Sequence, residues 1–125
     1  MTRQHLAWLA PLAAALFSIA HLGCAAPPDE VAVALREGAL VIDVRTAGEF
    51  AAQSIPGVTN VPLDRIEKEI AALAPDRNRP ILLHCASGMR SASACANLKR
   101  MGYARVYNLG SLSKAREILT SAHER

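Results

Sequence analysis

The chain has 125 residues, of which 14 are Lys or Arg and 11 are Asp or Glu, giving a formal net charge of +3. This length has room for one domain. Because the sequence has no lysine-rich run with interleaved aromatic residues, it argues against nucleic acid as a partner.

The N-terminal part of the chain, residues 1–23, has the layout of an export signal. A basic start precedes an apolar stretch over residues 6–20, and Pro11 interrupts that stretch. The stretch is shorter than the roughly 20 residues that a helix needs to cross a bilayer core. We therefore expect a processed export signal, and a permanent membrane span is the weaker interpretation.

Three outcomes of processing remain open. The sequence His21-Leu22-Gly23-Cys24 resembles a bacterial lipoprotein box, which predicts that Cys24 is lipidated and becomes the first mature residue. Cleavage at the small residues Ala25 and Ala26 would instead give a soluble periplasmic protein, and an uncleaved anchor is the third possibility. All three predict export to the bacterial periplasm, with a lipid anchor to the membrane in the first case.

Residues 24–125 alternate between helical and strand patterns. Apolar spacing predicts a helix that stops at Gly38, and the apolar run of residues 39–44 predicts a buried strand. Thr46 and Glu49 match a capping box, which predicts a short helix over residues 47–52. The remaining predicted elements are a short extended piece within residues 54–63, a helix at residues 63–74, a strand at residues 80–84, a helix at about residues 91–101, a strand at residues 104–109 and a final helix at residues 111–124.

This alternation predicts a single α/β domain over residues 24–125, with a parallel sheet of about four to five strands covered by helices on both faces. In such sheets, binding sites form at the carboxyl ends of the strands. Asp43 and Cys85 both lie at predicted strand ends. We therefore expect the chemistry of the protein near Cys85.

The stretch from His84 to Ser91, HCASGMRS, joins a strand to a helix. Backbone N–H groups at such a junction converge on one point, and the helix dipole adds positive character there. A thiolate on Cys85 is stabilised in this setting and acts as a nucleophile. Gly88 lets the backbone curl inward, Arg90 adds a permanent charge, and Ser91 is expected to cap the helix.

The other two cysteines have less specific interpretations. The three cysteines are too few and too differently placed to predict a disulfide framework. Cys24 is assigned to the processing site. Cys95 shares a helical stripe with Leu98, so we expect a small core residue there.

Residues 40–110 resemble a rhodanese domain. The landmarks are Asp-Val-Arg at residues 43–45, Glu-Phe at residues 49–50 and Ile-Pro-Gly at residues 55–57, followed by the cysteine loop and the segment GYARVYNLGSL. The resemblance implies a rhodanese-like three-layer fold. It also implies a single-domain sulfurtransferase of the thiosulfate type, which carries a sulfane sulfur as a persulfide on Cys85.

The resemblance also assigns roles to other residues and to partners. The substrate-binding loop would consist of Ala86, Ser87, Gly88, Met89, Arg90 and Ser91. Asp43, Arg45 and Glu49 would form a buried ion network with Arg90 that braces this loop. The implied substrates are a small anionic sulfur donor such as thiosulfate and a thiol or cyanide acceptor, with no metal or organic cofactor, and the protein is expected to be a monomer.

Loop length separates this interpretation from a cysteine phosphatase. Phosphatases of that type place five residues between the cysteine and the arginine, whereas four separate Cys85 from Arg90. The smaller loop suits one sulfur atom. His84, which looks phosphatase-like, is then expected to be only the last residue of the strand.

The sequence leaves two other functions open. One is a persulfide carrier whose partner is another protein, and the other is a catalytically silent rhodanese-like binding module. Many rhodaneses that use thiosulfate have an arginine directly after the cysteine, where this chain has Ala86. The missing charge puts tight binding of the thiosulfate dianion in doubt.

Overall fold

The computed structural model describes residues 24–125, so the predicted export signal lies outside the described residues. The described part folds into four strands and five helices. In chain order these are α1 (Pro28–Arg36), β1 (Leu40–Asp43), α2 (Ala47–Ala52), β2 (Thr59–Asn60), α3 (Leu63–Leu73), β3 (Ile81–His84), α4 (Met89–Arg100), β4 (Val106–Gly110) and α5 (Leu112–His123). The α/β fold with a parallel sheet of four to five strands is confirmed.

The four strands form one parallel sheet in the order β2-β1-β3-β4. Residues at the carboxyl ends of three strands are neighbours in this register: Asp43 pairs with His84, and His84 pairs with Gly110 after an irregularity in the ladder. Cys85 directly follows His84, so the register places it at the centre of this edge of the sheet.

Helices cover both faces of the sheet because the strands have apolar side chains on both faces. Strand β3 is buried at every position, as expected for a central parallel strand. On one face, α3 and α4 contribute Ile66, Ile70, Ala94 and Leu98 to a core with Ile81 and Leu83. On the other face, α1 and α5 contribute Val31, Ala34, Ala115 and Leu119 to a second core with Leu82.

Two helix starts show where local sequence signals suffice and where they do not. The predicted capping box of α2 is present: the Thr46 hydroxyl accepts from the Glu49 N–H, and the Glu49 carboxylate accepts from the Thr46 N–H. Helix α4, however, begins at Met89 and not at Ser91. Its start is determined by the left-handed backbone of Gly88, which no side-chain cap accompanies.

A disulfide joins Cys24 to Cys95, with a Cα–Cα distance of 6.4 Å. It fastens the start of the described chain to the middle of α4. Next to it, Ala25 forms an isolated parallel bridge with Asn108 of β4, and the Asn108 N–H donates to the Cys24 carbonyl at 2.6 Å. The N-terminal segment therefore lies along the edge of β4.

This pairing shows how the structure uses both cysteines. Cys95 is buried in the core as expected, but it is bonded and is not merely a small apolar residue. Because a sulfur in a disulfide cannot also form a thioether, this disulfide and the predicted lipidation of Cys24 are alternatives. Among residues 24–125, no helix has the length and apolar character needed to cross a membrane.

Replacing Cys24 with Ser should lower the free energy of unfolding. The disulfide closes a loop of 71 residues, and the chain entropy that such a loop removes from the unfolded state corresponds to about 4 kcal/mol. Urea denaturation of the oxidised proteins measures the difference. A reductant should destabilise the wild type and leave Cys24→Ser unchanged. Equal stability of the two oxidised proteins would show that the disulfide contributes nothing.

Candidate active site

Cys85 lies at the head of the loop between β3 and α4 and is fully buried. Its backbone N–H donates to the Gly110 carbonyl at 3.1 Å, which continues the pairing of β3 with β4 by one residue. The chain has three cysteines, and two of them form the disulfide. Cys85 is therefore the remaining free thiol.

Gly88 makes the sharp turn that brings the loop back over the thiol. Its φ is 96°, a left-handed conformation in which a residue with a side chain is strained. A Cβ at this position would lie 3.2 Å from the Gly110 Cα, closer than a backbone contact allows without movement. The predicted role of Gly88 in curling the backbone agrees with this geometry.

Two donors point at the Cys85 sulfur. The Gly88 N–H lies 3.0 Å from Sγ, and the Ser91 hydroxyl lies 3.3 Å from it. Burial by itself raises the pKa of the Cys85 thiol, but hydrogen bonds from the Ser91 hydroxyl and from the N–H groups of Ser91, Gly88 and Ser87 outweigh it. The pKa of Cys85 is thus lowered, which favours the nucleophilic thiolate.

Ser91 is a member of the first turn of α4 and not its cap, which corrects the expected role. It is the third residue of the helix and is fully buried. Its hydroxyl lies within hydrogen-bond distance of the Cys85 sulfur, of the Gly88 carbonyl at 3.2 Å and of the Asn108 side chain at 2.7 Å. Ser91 therefore belongs to the wall of the thiol site.

The outer part of the loop faces solvent. Ala86, Ser87 and Met89 are exposed, and Met89 exposes 77% of its surface although it is apolar. We take this exposed face of the loop, which has no charge at Ala86 and a flexible apolar group at Met89, as the entrance to the thiol.

Arg90 and Glu49 form a two-pronged ion pair. Nη1 and Nη2 of Arg90 donate to the two carboxylate oxygens of Glu49 at 2.7 and 2.9 Å. Hydrogen bonding to Arg90 lowers the pKa of Glu49 to about 2. Because Glu49 also caps α2, this pair ties the beginning of α4 to the beginning of α2.

Asp43 and Arg45 form a second, separate pair that is buried. The Arg45 guanidinium donates to both Asp43 oxygens, with a shortest distance of 2.7 Å, and also to the Gln53 carbonyl at 2.6 Å. The expected single buried network is therefore wrong: the Asp43–Arg45 pair is buried, whereas each side chain of the Arg90–Glu49 pair is 36% exposed.

His84 is fully buried at the end of β3. Its Nδ1 lies 3.3 Å from the Cys85 carbonyl, while Nε2 has no hydrogen-bond partner among residues 24–125 and lies 3.6 Å from Asp43 Oδ2. Burial lowers the pKa of His84, so the ring is neutral at physiological pH. This environment fits the expected structural role at the end of the strand.

Asn108 is a site residue that the sequence analysis missed. It is in β4, yet its side chain reaches the loop: Nδ2 donates to the Gly88 carbonyl at 2.9 Å, and Oδ1 accepts from the Gly110 N–H at 2.9 Å. The available signal was an amide side chain at the carboxyl end of an apolar strand, close to a glycine. The strand pattern alone did not indicate which loop it would contact.

Comparisons with known proteins agree with this geometry. The family model for the rhodanese-like domain matches residues 27–116. The chain is 35% identical over 71 residues to the thiosulfate sulfurtransferase PspE of Escherichia coli strain K12, covering 57% of this chain and 68% of that protein. It is 39% identical over 83 residues to the thiosulfate sulfurtransferase GlpE of Pseudomonas fluorescens strain SBW25, covering 66% and 74%. A solved structure described as a rhodanese with anions from E. coli superimposes with a TM-score of 0.57 at 33% identity, covering 62% of this chain and 91% of that one.

The environment of Cys85 predicts a thiol that ionises at lower pH than a free cysteine. Ultraviolet thiolate absorbance measures this directly, since the disulfide leaves Cys85 as the thiol that titrates. Ser91→Ala removes the hydroxyl donor and should raise the midpoint of the Cys85 titration by about one pH unit. This shift corresponds to the free energy of one hydrogen bond to a charged group. Cys85→Ser supplies the background signal. A wild-type midpoint at or above that of free cysteine would contradict the prediction.

Proposed function

The chain belongs to the rhodanese-like family of sulfurtransferases, and on this basis we propose that it transfers a sulfane sulfur through a persulfide on Cys85. The donor is thiosulfate or a related anion, and the acceptor is cyanide or a thiol. Support comes from the buried Cys85 sulfur, which faces one backbone N–H and one hydroxyl in a loop with four residues before Arg90.

The first half of the proposed reaction loads the sulfur. The Cys85 thiolate attacks the outer sulfur of thiosulfate, the sulfur–sulfur bond of the donor breaks, and sulfite leaves with the bonding electron pair. The lowered pKa of Cys85 supplies the thiolate that this step needs. The loop N–H groups then stabilise the negative charge on the outer sulfur of the persulfide.

The second half returns the enzyme to its starting state. Cyanide or a thiolate attacks the outer sulfur of the persulfide, and the Cys85 thiolate leaves. No proton has to move in the transfer between two sulfur atoms. The two ion pairs, Asp43–Arg45 and Arg90–Glu49, therefore need only to hold the loop, and their side chains point at each other.

The size of the loop favours sulfur over phosphate as the transferred group. The Gly88 nitrogen already lies 3.0 Å from the Cys85 sulfur, so this donor is used by the sulfur itself. A phosphate would need several N–H donors around three more oxygen atoms. In addition, the Arg90 guanidinium uses two of its five N–H groups on Glu49, which leaves fewer of them for a phosphate.

A persulfide carrier for a protein partner is the second candidate function. The exposed Met89 at the entrance favours it, because exposed methionines adapt to apolar protein surfaces. Ala86 favours it too, since the entrance lacks a charge at the position next to the cysteine. A carrier would load sulfur as the enzyme does but would turn over free thiosulfate and cyanide slowly.

We also propose that the domain works in the periplasm, without a lipid on Cys24. The basis is the export pattern of residues 1–23 together with the Cys24–Cys95 disulfide. Disulfides form and persist in oxidising compartments and are rare in the cytosol. The proposal would be wrong if the protein in cells were reduced at both cysteines or carried an acyl-modified Cys24.

Incubation with thiosulfate should add one sulfur atom to the wild type and none to Cys85→Ser, since an oxygen nucleophile cannot hold a persulfide. Mass spectrometry of the intact protein measures the adduct, and thiocyanate formation with cyanide measures turnover. Cys85→Ser should retain less than about a hundredth of the wild-type turnover.

The same proteins test the rival functions. A wild type that never gains sulfur would contradict the proposal and point to a silent binding module. Efficient hydrolysis of an aryl phosphate without sulfur loading would revive the phosphatase interpretation. Loading with negligible turnover of thiosulfate and cyanide would favour the carrier.

Replacing Ala86 with Arg should lower the KM for thiosulfate roughly fivefold, because an exposed cation next to the thiol attracts the dianion. This factor corresponds to about 1 kcal/mol, the interaction free energy of an exposed ion pair. Steady-state kinetics at low ionic strength measure the change. Ala86→Gln is the matched control, since it adds a long polar side chain without charge and should leave KM unchanged. An unchanged KM for Ala86→Arg would show that the missing charge does not limit donor binding.

A further inference from the structure

The side chain of Asn108 connects β4 to the loop around the thiol. Its oxygen accepts from the Gly110 N–H at 2.9 Å and lies 2.7 Å from the Ser91 hydroxyl, while its nitrogen donates to the Gly88 carbonyl at 2.9 Å. Asn108 thus contacts the loop at the Gly88 turn and at Ser91 in the first turn of α4.

The partners of the Asn108 amide determine its orientation. A backbone N–H can only donate and a carbonyl oxygen can only accept. The amide oxygen must therefore face Gly110 and Ser91, and the amide nitrogen must face Gly88. The opposite orientation would place a donor against a donor and an acceptor against an acceptor.

This orientation determines where the Ser91 hydroxyl proton lies. The hydroxyl has one proton, and three acceptors surround it: Asn108 Oδ1 at 2.7 Å, the Gly88 carbonyl at 3.2 Å and the Cys85 sulfur at 3.3 Å. The amide oxygen of Asn108 carries no hydrogen, so the shortest of these contacts is a hydrogen bond only when Ser91 donates. In this arrangement the Ser91 hydroxyl donates its hydrogen bond to the Asn108 amide oxygen.

The direction of the hydrogen bond between Ser91 and Cys85 differs between the thiol and the thiolate. A neutral Cys85 can donate its own proton to a lone pair of the Ser91 oxygen, so the hydroxyl stays on Asn108. A thiolate has no proton and needs the hydroxyl as a donor. The Ser91 hydroxyl must then rotate from Asn108 to the sulfur and give up its shortest hydrogen bond.

We propose that Asn108 is a positioning residue for sulfur transfer, because it holds the Ser91 hydroxyl when the Cys85 sulfur is uncharged and releases it when that sulfur becomes anionic. The inference rests on the proposed function. In the persulfide the charge is on the outer sulfur and the Cys85 sulfur is neutral, so the hydroxyl returns to Asn108. When the outer sulfur leaves, the hydroxyl turns back and stabilises the departing thiolate.

The backbone of Asn108 is held firmly enough for this role. Its N–H donates to the Cys24 carbonyl at 2.6 Å, and its partner across the sheet is Leu83. The disulfide from Cys24 to Cys95 fixes the first of these partners, and the central strand fixes the second. The Asn108 amide oxygen is therefore a fixed acceptor that competes with the sulfur for the hydrogen bond of the Ser91 hydroxyl.

Thiolate titration tests the proposal without requiring sulfur transfer. Asn108→Leu has a similar size but no acceptor, so the hydroxyl is free for the sulfur and the midpoint should fall by about one pH unit. Asn108→Asp keeps the acceptor and adds a negative charge, so the midpoint should rise. A purely structural role predicts no fall of the midpoint in Asn108→Leu, because that variant loses the donor to Gly88 and loosens the turn that presents the Gly88 N–H to the sulfur.

The double variant Ser91→Ala/Asn108→Leu separates the two residues. Without the hydroxyl, Asn108→Leu should shift the midpoint by less than a third of its shift in the wild-type background. The charged and titratable groups near the thiol are Arg90 with Glu49 from α4 and α2, and His84 and Asp43 with Arg45 from the strand ends. All of them are the same in every variant, so they cancel in the comparison.

A midpoint that rises or stays unchanged in Asn108→Leu would overturn the proposal, as would an equal shift in the double variant. If the leucine variant does not fold, as judged by its melting curve, Asn108→Ala decides: it also lacks the acceptor, so a midpoint at or above that of the wild type overturns the proposal. Sulfur loading of the wild type is measured separately by mass spectrometry. A wild type that never loads sulfur would contradict the proposed function while the titration result would still stand.

Discussion

The close packing of two glycines, Gly88 and Gly110, is the constraint on which the thiol site depends. Gly88 turns the chain with a left-handed backbone, and a side chain on it would press against the Gly110 Cα. The turn directs the Gly88 N–H to the sulfur and starts α4 at Met89, which places Ser91 in the first helical turn. The positions of the donors around Cys85 therefore follow from one backbone conformation. The sheet register places Gly110 against Gly88, where the lack of a side chain leaves room for this turn.

The charged residues near the loop act as braces at two depths. The buried Asp43–Arg45 pair joins the end of β1 to the end of α2 through the Gln53 carbonyl. The half-exposed Arg90–Glu49 pair joins α2 to α4. Together they connect three elements around the thiol. Since these charged side chains satisfy each other, they contribute geometry to the site and leave contact with the sulfur to the loop N–H groups and the Ser91 hydroxyl.

Sequence patterns predicted the parts of the structure that depend on neighbours in the chain. The α2 helix agrees with its prediction at both ends because the Thr46–Glu49 capping box lies within one helical turn. The buried strands and the cysteine loop were also predictable, since apolar runs and a glycine-containing junction are local features. The start of α4 was misplaced by two residues because Ser91 has the chemistry of a cap, whereas the conformation of Gly88 decides the start.

The parts that the sequence analysis missed depend on contacts between distant segments. Asn108 meets Ser91 across 17 residues, and Cys24 meets Cys95 across 71. Neither contact follows from spacing along the chain, because each requires knowing which strand β4 pairs with and where the N-terminal segment lies.

The disulfide also limits where a sulfur atom held by Cys85 can go. Persulfides lose their outer sulfur readily to any thiolate within reach, and the two other sulfhydryl groups of this chain are consumed in the Cys24–Cys95 bond. A molecule loaded with sulfur as proposed would therefore have no other thiol of its own to accept that sulfur, and its transfer would require an acceptor from outside.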